Sequence, residues 1–311
     1  MPQLTTTPCC PTATGPTPRG LVEPLALPEP GTRPDPCPGG GRQRPPRCGQ
    51  FLETDLVLIR AAAGGARPVA LLAPEDPRRR ARYRWAVGHH AAFAVWQQLR
   101  HALESTLTGP EPPTAAIRAA AGLYDLYSVL FLYAGSCSAQ QYAATVRPDM
   151  TDHHPAFSGE WAPDHEAIPS LLKRVRADLP DTAALPLTGA VRLNHRIHMS
   201  VARKLVPDGA SLLQQAGRPP GRGPSPAERD LYDAYFAVRR QRVCTSAFAS
   251  QLVRRLAQVL CDIAVHGLPG SPARPGHAED IEALRLRAPE LLRRLAEDTA
   301  AGLPPRTEGL L

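Results

Sequence analysis

Apolar residues recur along most of this chain at the three-and-four spacing of an amphipathic helix, and only one early segment groups them as short strands would. From Pro74 to Gly109, the positions Trp85, Ala92, Val95, Trp96, Leu99 and Leu103 make one apolar face. Acidic residues and proline open this segment and Gly109-Pro110 closes it, which predicts a long helix. Thr114 can cap the next helix, where Ile117, Ala121, Tyr124, Leu126, Val129, Leu130 and Tyr133 cover most of the circumference and predict burial on several sides. Its apolar run, Ala119 to Ala134, falls short of the roughly 20 residues a membrane span needs, and Asp125 interrupts it; the reading is a core helix, with no transmembrane segment.

Beyond Gly135, a short helical piece carries Gln140 to Val146, and Arg147-Pro148 is expected to turn the chain because the residue before proline avoids the helical region. SLLKRVRADL (170–179) reads as an amphipathic helix capped by Ser170, and LPLTGAVRLNHR (185–196) as a segment with a turn at Gly189. Ser225-Pro226-Ala227-Glu228 is a capping box with proline at the first helical position. The face that follows, from Leu231 to Ile263, is too long for one straight helix and is expected to break near Cys244 to Ser246. In the last patterned stretch, Ile281, Leu284, Leu291 and Leu295 form a candidate partner-binding helix face. FLETDLVLIR (51–60) and RPVALLAP (67–74), separated by AAAGGA, predict a β-hairpin.

Composition alters this picture mainly at the N-terminus. Residues 1–50 hold 13 of the 36 prolines and 7 of the 24 glycines, too little apolar surface to offset ordering entropy. The expected architecture is mainly α, in three parts. A disordered Pro/Gly-rich arm at 1–50 precedes a single helical core with a small N-terminal β-hairpin at 51–267, and a linker with the C-terminal amphipathic helix occupies 268–311. Lysine plus arginine outnumber acids 36 to 29, which favours polyanionic or acidic partners. Arg239, Arg240, Arg242, Arg254 and Arg255 form a basic flank, the candidate nucleic-acid or partner contacts, with solvated arginines over apolar surface as the simpler reading. Seven cysteines without tight spacing read as free thiols in a reducing compartment, and the Cys9-Cys10 pair is a candidate for palmitoylation.

No glycine-rich strand-to-helix loop, G-x-S-x-G or C-x-x-C occurs, so nucleotide-binding and hydrolase readings lose support, and no catalytic residue, cofactor or metal is assigned. Asp152, His153, His154, Asp164, His165 and Glu166 gather imidazoles and carboxylates, but at no standard zinc spacing; a solvated polar loop is the favoured reading. His195 and His198 read as a surface pair. Of His89-His90, one is expected to face inward and hydrogen-bond while the other faces solvent. An enzyme is the weakest of the function classes.

The run LYDLYSVLFLYAG followed by QQYAATVRPDM resembles the central region of the alphaherpesvirus alpha trans-inducing tegument protein family. Further similarities follow in order at Trp161, Gly189, Leu193-Asn194-His195-Arg196, Lys204-Leu205-Val206, Ala234-Tyr235-Phe236 and Asp280-Ile281-Glu282-Ala283-Leu284. The resemblance implies a helical virion tegument protein found also in the host nucleus and cytoplasm. Its partners would be other tegument or virion proteins, host transcription factors and DNA. Two departures qualify it. Asp262-Ile263-Ala264-Val265 lacks the His and Tyr of the family's host-cell-factor motif, and the C-terminal residues carry arginines where the family has an acidic activation tail. The competing reading is an unrelated intracellular helical adaptor or nucleic-acid-associated regulator.

Overall fold

The longest helix, α2 (Pro77–Thr108), begins where Asp76 accepts a hydrogen bond from Arg79 N at 2.7 Å and proline occupies the first turn. It packs along α3 (Pro113–Ala134), and α3 packs in turn along α7 (Asp181–Leu205). A Cβ on Gly88 would lie 2.9 Å from Ala134 Cβ, so glycine is what lets α2 and α3 approach so closely. Gly88→Ala is expected to destabilise the fold by about 1–3 kcal/mol through overpacking, measured as a shift in chemical denaturation midpoint.

These elements lie in a computed structural model of the chain that describes residues 21–37, 49, 51–109, 113–207, 209–218, 222–270 and 278–303. The fold is mainly α, as the periodicity predicts. Around the α2–α3–α7 layer stand α1 (Leu52–Ala63), α4 (Ala139–Ala144), α5 (Val146–His153), α6 (Ile168–Asp178), α8 (Leu212–Gln215) and α9 (Pro226–Tyr235), with α10 (Thr245–His266) and α11 (Ala278–Ala301) closing the far side against α1. The α3 helix has the length and apolarity to cross a membrane, but Ile117, Ala120, Tyr124, Val129, Leu130 and Tyr133 are buried by protein neighbours.

Several expectations are corrected. The hairpin expected over 51–74 is a helix over Leu52–Ala63: Leu52, Leu56, Ile59 and Ala62 recur at helical spacing and are buried. Strand pairing occurs elsewhere. β1 (Leu25–Leu27) runs parallel to β2 (Val238–Arg240), with Leu25 beside Val238. The Gln251 amide donates to Ala26 O at 3.0 Å and accepts from Ala26 N at 2.8 Å, completing the other edge of β1. Part of the expected disordered arm is therefore folded, with Val22, Leu25, Leu27 and Cys37 in the core; Cys9, Cys10 and Cys48 lie outside the described residues. Helix α7 runs unbroken through Pro186 and Gly189, where a turn is expected. The chain turns at Thr145, and Pro148 falls in the first turn of α5, where its missing N–H leaves no hydrogen bond unmade. The face from Leu231 to Ile263 is broken by β2 before Cys244, which caps α10.

Among the described residues, one ion pair has both side chains buried. Arg84 donates to Asp262 from Nε at 2.7 Å and from Nη2 at 3.1 Å, and Tyr133 OH donates to the same carboxylate at 2.8 Å. Ser136 Oγ and Gly267 O each accept one further guanidinium hydrogen. This network ties α2, α3 and α10 together.

Candidate active site

Helix α2 turns Trp85, Gly88, His89, Ala92 and Trp96 to one side, and α3 turns Tyr127 and Phe131 towards them, with Gly135 just past its end. With Asn194, His195, His198 and Val201 of α7, they line a cavity of about 590 Å³. Roughly 300–1,000 Å³ is the usual range for a small-molecule or cofactor site. Arg147 and Met150 of α5, the 158–160 turn and residues 211–213 complete the wall.

Four imidazoles reach this space. His89 Nδ1–H donates to Trp85 O at 2.6 Å, one helical turn back, and the ring stacks on Phe236 with centroids 4.5 Å apart. Its Nε2 is therefore the lone-pair nitrogen, and it has no partner among the described residues. Burial lowers its pKa to about 4 and keeps the ring neutral. His165 sits against Trp96 and Tyr127, with centroids 5.0 and 6.0 Å away, and burial, with His198 nearby, lowers it to about 4. His198 stands edge-on to Phe131 at 4.8 Å. It lines the cavity, and burial, then the neighbouring His195, lower its pKa.

The loop carrying His165 is pinned on both sides. Asp164 is buried and accepts from Gln97 at 2.8 Å and from both Arg240 terminal nitrogens at 2.9 Å, while Asp233 takes the opposite edge of Arg240. Glu166 receives two bonds from Arg229. His165 is thus held between two anchored carboxylates and aimed inward.

Because His89, His90 and His165 are neutral when folded, with pKa values lowered from 6.5 to about 4, 3 and 4, the unfolded chain binds more protons than the folded one between those limits. The stability they allow is fully present above pH 6.5 and is lost as the pH falls towards 4. Urea denaturation at pH 7, 5.5 and 4.5 should show a falling midpoint.

The sequence-derived candidates land in different places. The mixed histidine and carboxylate loop does not gather: Asp164 and Glu166 are in ion pairs, His153 faces Tyr235, and His154 Nδ1 accepts from Ala156 N. No group of three or more His, Cys, Asp or Glu forms a metal site among the described residues. His195 and His198 are exposed, as the surface reading expects, and both also line the cavity, while His89 and His90 are both enclosed, with His90 bonded to Phe236 O at 2.5 Å. In the basic flank, Arg240 and Arg254 are ion-paired with Asp164, Asp233 and Asp55, and Arg255 is buried and donates to Glu23 O. Arg242 pairs with Asp35 on the surface, and Arg239 is exposed. Ile281 and Leu284 are buried, Leu291 and Leu295 half-buried, all packed on this molecule's own core.

A helical protein with an aromatic chamber lined by imidazoles has the form of a cofactor- or substrate-binding protein. Residues 52–191, a little under half of the chain, match the family model for SfmD 3-methyl-L-tyrosine peroxygenase. No curated protein matches this chain. The match overturns the tegument resemblance: the LYDLYSVLFLYAG and QQYAATVRPDM runs that carried it lie inside the matched stretch. With it fall the virion and host-nuclear location, the structural or transcriptional role and the non-enzyme reading.

The stripe Trp85, His89, Ala92 and Trp96 was the legible signal of the site. At helical spacing it reads equally well as core.

Proposed function

We propose that this protein is a peroxygenase that moves one oxygen atom from a hydroperoxide to the ring of a tyrosine-like phenolic amino acid, inside the α2–α3–α7 cavity. The observation that carries this reading is the match of residues 52–191 to a 3-methyl-L-tyrosine peroxygenase, because that stretch supplies His89, Trp96, Tyr127, Phe131 and His165 of the wall. In the balanced reaction with hydrogen peroxide, an aryl C–H and the peroxide O–O bond break, aryl C–O and O–H bonds form, and water leaves.

Side chains alone do not carry this oxidation, and peroxygenase chemistry implies a redox group such as haem. The residues fit one. The cavity is large and aromatic, and His89 presents a neutral imidazole whose Nδ1–H is already fixed on a backbone carbonyl, the arrangement that orients a ligating nitrogen. When bound, haem would supply the two-electron oxidising capacity. His89 would hold it through Nε2. His165, neutral and without a hydrogen-bond partner among the described residues, can take a proton from the hydroperoxide at its free nitrogen and return it to the departing water. Trp96, Tyr127 and Phe131 exclude bulk water and offer edges and faces to a phenol ring.

The test is to supply the full-length protein with haem, hydrogen peroxide and 3-methyl-L-tyrosine and follow products by mass spectrometry. Peroxide-dependent formation of a species heavier by one oxygen is expected. Absence of such a product from this or any other tyrosine analogue, with haem bound, would remove the reading.

A further inference from the structure

Two oppositely charged side chains line the cavity without an ionic partner among the described residues. Arg147, on the first turn of α5, donates from Nη2 only to neutral acceptors, Ala210 O at 3.1 Å and Gln215 Oε1 at 2.9 Å, and also touches the Tyr142 hydroxyl. Glu160, in the single turn Gly159–Trp161, makes no ion pair among the described residues. Both stand against the same short segment. Arg147 is bonded to residues 210 and 215, and Arg218 of that segment lies over the Trp161 ring next to Glu160, at 5.7 Å. Elsewhere in the chain charges are drawn into pairs, as Asp164–Arg240, Glu166–Arg229 and Glu228–Arg218 illustrate.

From this juxtaposition we propose that Arg147 and Glu160 recognise the two ends of an α-amino acid, Arg147 taking the carboxylate and Glu160 the ammonium, with the aromatic side chain directed into the cavity. The inference rests on the peroxygenase reading and deepens it by assigning the groups that select a free amino acid over a simple phenol. A guanidinium suits a carboxylate because it can offer two parallel N–H donors, and in a partly desolvated mouth such a charge-assisted bond is stronger than a neutral one. Neutral acceptors hold Arg147 in place without cancelling its charge, which leaves it available to an anion.

The test is isothermal titration of the full-length protein with 3-methyl-L-tyrosine, with the matching amine that lacks the carboxylate, and with the matching phenol that lacks both charged groups. Arg147→Gln is expected to weaken binding of the amino acid by about 10- to 100-fold and to leave the amine and the phenol nearly unchanged. Arg147→Lys should recover part of the loss. Glu160→Gln, an exposed change that spares the core, should weaken the amino acid and the amine together by about 10-fold. Equal affinity of wild type and both variants for the amino acid would overturn the proposal while leaving peroxygenase activity standing. A loss of bound haem in Arg147→Gln with unchanged amino-acid affinity would overturn it too, assigning Arg147 to the carboxylates of the prosthetic group. Wild-type protein that turns over simple phenols as readily as the amino acid would refute the clamp alone. Protein that oxidises neither would refute both readings.

Discussion

Asp262→Ala should lower the unfolding free energy by about 3–5 kcal/mol, because it strands the buried Arg84 guanidinium, which bonds no other carboxylate among the described residues. The carboxylate is fully buried and takes three hydrogen bonds, two from Arg84 and one from Tyr133. Removing it leaves a desolvated cation and an unpaired hydroxyl, and each such group costs its own desolvation. The double replacement Arg84→Met with Asp262→Leu should recover much of that loss, since a buried pair is often replaceable by apolar groups of similar volume. Chemical denaturation of the three proteins measures this. A single-variant loss below about 1 kcal/mol would mean that the pair is not the tie between α2, α3 and α10 that its geometry describes.

The second large effect concerns His89. Its ring is held from both sides, by Trp85 O at 2.6 Å and by the stacked Phe236, so replacing it by alanine removes a pre-oriented nitrogen and leaves, among the described residues, no other cavity-lining imidazole bonded to a backbone carbonyl. His89→Ala is expected to reduce haem retention and peroxide-dependent turnover by roughly 100-fold or more, beyond the 10- to 100-fold typical of merely supporting groups. The control is His153→Ala, an exposed position facing Tyr235, which should leave the absorbance spectrum and turnover unchanged. A His89→Ala protein that binds haem with an unaltered spectrum would transfer the ligand role to another cavity histidine.

Much of the fold was legible in the sequence, and the reasons differ by element. Helices α2 and α3 announce themselves because long apolar stripes at helical spacing admit few other structures. The Ser225 capping box marks the start of α9 because serine and Glu228 each satisfy an otherwise orphaned N–H. The segment 51–63 misled because a dense cluster of Leu, Val and Ile satisfies a strand template as well as a helix, and its docking on α10 and α11 decides the matter. Strand β1 lay hidden in a proline-rich stretch, since its partners Val238–Arg240 and Gln251 are more than two hundred residues away.

The candidate site was less legible. The sequence sets His89 and His90 beside aromatic positions without deciding which of the two faces inward, and it offers His165 as part of a polar loop and His195 with His198 as a surface pair. Only the crossing of α2, α3 and α7 brings them to one chamber. The tegument resemblance drew on a run rich in leucine and tyrosine. Such a run mainly records that α3 is a buried central helix, a requirement shared by unrelated helical proteins. Asp262, which that resemblance placed in a degenerate interaction motif, is a core anchor instead.

The origin of the inserted oxygen tests the account most directly. Haem-loaded wild-type and His89→Ala proteins would be given 3-methyl-L-tyrosine with hydrogen peroxide carrying heavy oxygen, under ordinary dioxygen, and the product analysed by mass spectrometry. The account predicts a ring-oxygenated amino acid from the wild type that carries the peroxide's label, and almost none from His89→Ala. Unlabelled product, or no oxygenated product from haem-replete wild type, would contradict it.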